Sequence, residues 1–311
     1  MALRPPRTST PGGAHAPVVF AGQPRYFRAA WEDAVHEGWG HVHPIVFGGK
    51  DPWKRLAATV EAAGARTCVV FEPWMLAARP AAFAAVRALG VRMVAYSTEP
   101  LPHDGEAAPH PDVVRRLGTL RGARAVPWDL VVHHDPSSAG VLAAEGFAPV
   151  AFHPLPVSTR LFFPEDVPRD LDVAFLGRTT PHRDAFLAPL RARFRLVHPA
   201  DGCFDEDARR LMNRARVVVN LHAHAFPNFE TRAVQALRCG RPLVSEPLSG
   251  GFLTPGVEYT VARTPDEMVA CVADLLAGAE PEPAPTGPPA RFHVASLRAL
   301  VTQAASAPEA P

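Results

Sequence analysis

Short runs of β-branched and aromatic apolar residues alternate along this chain with longer alanine-rich stretches whose apolar positions recur at helical spacing. Between residues 17 and 156 the runs are PVVFAG (17–22), HVHPIVFG (41–48), TCVVFEP (67–73), RMVAYSTEP (92–100), DLVVHHDP (129–136) and PVAFHPLP (149–156). Segments such as YFRAAWEDAVHEG, KRLAATVEAAG and AAFAAVRALG lie between them and close on glycines suited to a helix C-cap. Strand, helix, strand at this spacing predicts a parallel sheet covered on both faces. A polar stretch at 157–170 breaks the pattern, which then restarts with LDVAFLG (171–177), FRLVHP (194–199), RVVVNLH (216–222), RPLVSE (241–246) and EYTVAR (258–263). The expected fold class is therefore α/β, with two doubly wound Rossmann-like domains facing a cleft.

The expected domains are 17–156 and 157–278, preceded by a disordered tail over 1–16. A proline-rich linker (279–290) and a C-terminal helix with its tail (291–311) follow. A length of 311 residues suits two domains. With 47% hydrophobic and 20% charged residues, the chain can bury a core. Its 35 prolines are about twice the usual share and are expected at chain ends and loop corners. The net charge of +1, with signs interspersed, gives no field for a polyanion, so no nucleic-acid partner is expected.

Cys68, Cys203, Cys239 and Cys271 are far apart without C-x-x-C spacing, which fits a reduced protein better than a disulfide frame or a zinc site. The first 16 residues hold no apolar signal core, and no run approaches the ~18 apolar residues of a membrane helix. A cytoplasmic protein with no transmembrane segment is expected.

Ligands of open parallel sheets bind beyond the carboxyl ends of the strands. There the segment 171–194 runs from a strand through Gly177 to Thr179-Thr180-Pro181, a helix start whose free N–H groups form an anion site, with Arg178 and Arg183 beside it. The same residues suit an ordinary capped helix with surface arginines. In the segment 217–246 a strand ends at Asn220, Leu221 and His222, and a helix opens near Glu230. The following strand delivers Ser245 and Glu246 to the same sheet edge, so that His222, Glu230, Arg232 and Glu246 can converge. His222 and His224 share a face at spacing two but lack a third ligand, so no metal is expected.

These segments resemble the donor half of GT-B glycosyltransferases of the group 1 type, especially the spore-maturation-like branch. The motifs are FLGRTTPHR (175–183), VNLH (219–222), RAVQALRCG (232–240) and TPDEMVACVADLL (264–276). The segment 129–164 resembles the inter-domain crossover of that family, and Phe292-His293 through Arg298 its closing helix, so the resemblance spans about 129–301. Two positions depart from the family pattern: Gln235 stands where it has a glutamate, and Pro227 where it has an earlier one.

The resemblance implies metal-independent transfer of a sugar from a nucleoside-diphosphate sugar to a small-molecule or glycan acceptor, with no further cofactor. Gly177, Arg178, Thr179 and Arg183 are expected at the diphosphate, with Arg232 as a further cation. Glu230, Gln235 and Glu246 are expected at nucleotide or sugar hydroxyls, and His222 against the transferred sugar. An inverting reaction needs a base on the acceptor side. Glu72, Glu99 and His103 end strands or turns of the first half, and Glu99, in STEP, is the preferred candidate. A retaining reaction needs no such base, and both outcomes stay open. The departures at 227 and 235 favour one alternative, a degenerate relative that binds a nucleotide or partner without turnover. A two-domain binding protein or a sugar epimerase is a further one.

Overall fold

The computed structural model describes residues 16–46, 51–278 and 290–303. The expected tail up to residue 15, linker residues 279–289 and the end of the chain from 304 lie outside the described residues. Each apolar run becomes a strand. In the first half these are β1 (Val18–Gly22), β2 (Gly40–Pro44), β3 (Thr67–Phe71), β4 (Arg92–Ser97), β5 (Leu130–His133) and β6 (Val150–Phe152). In the second half they are β7 (Leu171–Ala174), β8 (Leu196–Val197), β9 (Ala215–Asn220), β10 (Leu243–Ser245) and β11 (Thr260–Val261).

The first six strands form one sheet in the order β2-β1-β3-β4-β5-β6 and the last five another in the order β11-β10-β9-β7-β8. The pairings are parallel throughout, with Val18 beside Gly40 and Thr67, and Val173 beside Leu196 and Val217. Alternate residues of each strand feed opposite cores. Phe20, Phe71 and Tyr96 pack on one face of the first sheet, Val19, Val70 and Met93 on the other. In the second sheet Ala174 and Val218 face one core, Val173 and Val219 the other. Burial on both faces explains why the strands read as continuous apolar runs.

In both sheets the first and third strands of the half, β1 with β3 and β7 with β9, are direct neighbours. The chain winds in opposite directions from that point, which opens a crevice beyond the strand ends. The two crevices meet. A cavity of about 590 Å³ is lined by Arg25 and Tyr26, which follow β1, and by Gly177 and Arg178, which follow β7.

Polar contacts tie the halves together behind this cavity. Buried Asp33 accepts from Ser158 Oγ at 2.8 Å and from the Thr159 amide at 2.7 Å. The C-terminal helix Val294–Gln303 packs back on the first half, with Val294, Leu297 and Val301 joining Phe20 and Trp31 in one core. Arg92 Nη1 donates to the Val301 carbonyl at 3.0 Å.

Candidate functional site

The helix Pro181–Arg193 begins as its sequence requires: Thr180 caps it, its hydroxyl accepting from the Arg183 amide at 3.2 Å, and Pro181 occupies the first turn. Thr179 is exposed just outside the cap, and Arg178 is exposed beside it. Arg183 and Arg232 are buried, each about 6% accessible. Arg183 donates to the Leu221 carbonyl at 3.1 Å, the Arg178 carbonyl at 3.0 Å and Glu230 Oε1 at 3.1 Å. Arg232 donates to Asn220 Oδ1 at 3.3 Å, to the Leu176 carbonyl and to Glu230 Oε2.

One carboxylate thus bridges two guanidinium groups. Each guanidinium has five N–H donors and bonds three partners here, so both planes are held in fixed orientations. Both also lie over the ring of Phe175, at 5.3 Å and 4.7 Å from its centroid. Burial, with Arg178 nearby, lowers the Arg183 pKa to about 10, and burial beside Arg183 lowers that of Arg232 well below its ordinary value. Three arginines against Glu230, with Glu246 behind it, leave this corner with a surplus of positive charge.

Gly177 makes the arrangement possible. Its φ is +151°, and a Cβ there would lie 2.9 Å from Arg232 Nη1, 3.2 Å from Arg183 Nη1 and 3.2 Å from Phe175 Cζ. Its carbonyl accepts from His198 Nε2 at 2.7 Å. Gly177, Arg178, Arg183, Glu230, Arg232 and Gln235 all line the cavity between the halves.

Glu246 and His222 form a second cluster behind that corner. Glu246 Oε2 accepts from the His222 amide at 2.7 Å, and Oε1 pairs with His182 Nε2 at 2.7 Å. His222 Nε2 donates to the Pro247 carbonyl at 2.9 Å. Its Nδ1 is therefore the bare nitrogen, and it is buried without a partner. Burial lowers the His222 pKa, which keeps the ring neutral. Neither residue, nor Thr179, lines the cavity of about 590 Å³.

On the first half, Glu99 is half exposed and pairs with Arg116 at 3.2 Å. Glu72, at the end of β3, differs. Its backbone sits in the left-handed region at φ 59°, an uncommon place for a residue with a side chain, and its carboxylate accepts from the Gln23 amide at 3.0 Å. Burial pushes its pKa up to about 7. Gly22 is close to this carboxylate: a Cβ there would meet Glu72 Oε2 at 2.9 Å and Phe71 Cβ at 2.8 Å. The bare backbone at Gly22 accommodates the end of β3 and the Glu72 carboxylate.

Sequence reasoning missed several residues here. Arg25 and Tyr26 line the cavity from the first half, and Asn220 and His182 orient Arg232 and Glu246. At the end of β5, buried His133 and His134 each offer Nδ1 to the Ser97 carbonyl, at 3.2 Å and 3.4 Å, leaving both Nε2 atoms unpartnered. His103 pairs with Asp135 at 3.3 Å, and that bond raises the His103 pKa. The consecutive HHD at 133–135 was the available signal, read only as the end of a strand.

Residues 178–284 match the family model described as glycosyl transferase-like. Among solved structures, the chain is similar to TarM at 9% identity with a TM-score of 0.51, over 81% of this chain and 59% of that one. It thus spans less than two thirds of TarM. It is also similar to the α,α-trehalose 6-phosphate synthase from Burkholderia multivorans, at 11% identity and a TM-score of 0.51, over 96% of this chain and 100% of that one. The fold is GT-B. Family match and fold together support a glycosyltransferase. No curated protein matches the chain significantly. Among the described residues, no helix is long and apolar enough to cross a membrane.

Proposed function

We propose that the chain transfers a sugar from a nucleoside-diphosphate sugar to an acceptor hydroxyl, with arginines rather than a metal at the donor diphosphate. The observation that carries this reading is the pair Arg183 and Arg232, locked beneath Gly177 at the β7/β9 crevice and opening on the cavity between the halves. The departing diphosphate gathers negative charge. Fixed guanidinium groups stabilise that charge without reorganising.

Arg178, Thr179 and the Gly177 turn are assigned to the diphosphate, and Glu230 with Gln235 to nucleotide hydroxyls. The Gln235 amide both donates and accepts there, without the charge assistance of a glutamate. Glu246 fixes the His222 backbone behind the donor corner, and His222 is assigned a positioning role there rather than a contact with the transferred sugar, because its bare Nδ1 is buried and the residue does not line the cavity. For an inverting reaction, Glu99 and Glu72 are the carboxylates at the facing sheet edge. Glu72, half-buried, strained and titrating near 7, has the character of a base poised for neutral pH.

The order of motifs favours the spore-maturation-like branch, and the four separated, unpaired cysteines favour a reducing compartment such as the cytoplasm. Gln235 keeps a second reading in view, a relative that binds nucleotide without turnover.

Calorimetric titration with UDP, GDP, TDP and ADP, with and without magnesium, tests the proposal. Selective, magnesium-independent binding of one diphosphate supports it and names the nucleotide. Failure of all four to bind overturns it. Binding without transfer from any sugar of that nucleotide selects the second reading.

A further inference from the structure

His224 leaves the second half on the loop after β9 and meets the first half at the start of the helix Pro111–Arg121. Its Nε2 lies 2.8 Å from Asp112 Oδ2, and its ring lies against that of His110, with centroids 4.2 Å apart and planes 26° from parallel. One ligand atom from each of His110, Asp112 and His224 lies within 4.8 Å of the other two. All three are half-buried, and Phe226 packs beside both imidazoles, 5.6 Å from His110 and 6.1 Å from His224. Arg115 pairs with the other oxygen of Asp112, Oδ1, at 3.4 Å, which leaves Oδ2 facing the rings.

We propose that His110, Asp112 and His224 bind one divalent transition-metal ion of the zinc class, joining the two halves at the rim of the cleft. Two imidazoles and one carboxylate form a donor set suited to zinc or cobalt, whereas magnesium prefers oxygen ligands and keeps its water. Metal–ligand bonds of about 2.0–2.2 Å place tetrahedral ligand atoms roughly 3.3–3.5 Å apart, so pairs now up to 4.8 Å apart close by up to about 1.4 Å, while the His224–Asp112 pair, now at 2.8 Å, opens by about 0.6 Å. Side-chain rotation supplies that movement. The ion replaces the hydrogen bond between His224 and Asp112. If His110 ligates through Nδ1, it also replaces the 3.2 Å bond that this atom accepts from the Asp112 amide. Three protein ligands leave a fourth position for water or a substrate oxygen.

The site is separate from the donor corner, since none of its residues lines the cavity around Gly177. His222, the neighbour that shares the sequence spacing, is not a ligand: its Nε2 is bonded to the Pro247 carbonyl within the second half. Because the ligands come from both halves, metal binding stabilises their observed approach.

The test uses the full chain, freed of any affinity tag and of metal by chelation. Cobalt is titrated and followed by its ligand-field absorption, then displaced with zinc, with magnesium as control. The expected result is one cobalt per chain, displaced by zinc and unaffected by magnesium. His224→Asn and His110→Asn should each weaken binding at least tenfold, and the double variant should abolish it while keeping its circular dichroism. Cys203→Ser combined with Cys271→Ser should bind as the parent does. Zinc should raise the melting temperature of the parent but not of the double histidine variant. Absence of stoichiometric cobalt or zinc binding overturns the proposal, as does undiminished binding in the double histidine variant. These measurements involve no nucleotide, so their failure leaves the donor reading untouched, and the converse holds.

Discussion

Replacing Gly177 with alanine inserts one methyl group at the point where the donor corner is most crowded. The new Cβ would meet Arg232 Nη1 at 2.9 Å and Arg183 Nη1 at 3.2 Å, and neither atom is the free end of a flexible chain. Arg232 Nη1 is bonded to the Leu176 carbonyl and Arg183 Nη1 to that of Arg178, while Phe175 closes the third side at 3.2 Å. The backbone at φ +151° adds a conformational cost of about 1–3 kcal/mol for a residue with a Cβ. Displacing one charged hydrogen bond adds about 1.5–3 kcal/mol. Part of this sum relaxes through small backbone shifts, so the expected loss of stability is about 2–4 kcal/mol. The reorientation of both guanidiniums should weaken binding of the preferred nucleoside diphosphate about 10- to 100-fold, a factor of ten for each 1.4 kcal/mol. Calorimetry well below the melting temperature, paired with thermal unfolding, separates the two effects. A folded Gly177→Ala protein that binds the diphosphate within twofold of the parent would refute the reasoning.

Other substitutions probe the remaining assignments. Arg183→Ala leaves Glu230 with one partner and two carbonyls without their donor, so about 3–5 kcal/mol of stability should be lost in chemical denaturation, together with diphosphate binding. Arg183→Lys should restore much of the charge but not the three-way bridge, recovering binding only in part. Glu72 carries a pH signature. Its native pKa of about 7 exceeds the ordinary 4.5, so the native state binds the extra proton between those values and stability falls as pH rises from 4.5 to 7. Glu72→Gln should remove that slope, worth on the order of 3 kcal/mol, and an unchanged pH profile would show that the carboxylate is not desolvated in solution. If Glu72 is the base, the same variant should lose transfer while keeping diphosphate affinity. Glu99→Gln measured in parallel decides between the two carboxylates, and full activity in both variants would leave neither as the base.

Much of this molecule was legible in one dimension. Each apolar run became a strand because a strand buried on both faces has to be apolar at successive positions, and that demand is local. The turn at Gly177, the Thr180 cap and the Pro181 helix start were legible for the same reason, since caps and turns are satisfied by neighbours within a few residues. What the side chains do at the site is a different kind of fact. Glu230 bridges Arg183, 47 positions earlier, and Arg232, two positions later, and that bridge exists only because β7 and β9 are adjacent in the sheet. Glu99 and Glu72 both read as acidic ends of strands or turns, and the sequence preferred Glu99. Only packing against Gly22 and Gln23 desolvated one and left the other paired with Arg116 at the surface.

The histidines make the same point. His222 and His224 stand two apart in sequence, yet one turns inward to Pro247 and the other reaches Asp112, 112 positions away in the opposite half. Periodicity records how a segment meets its immediate surroundings. The meeting of two distant segments depends on sheet order and on how the two halves face each other, and the tertiary structure alone decided that.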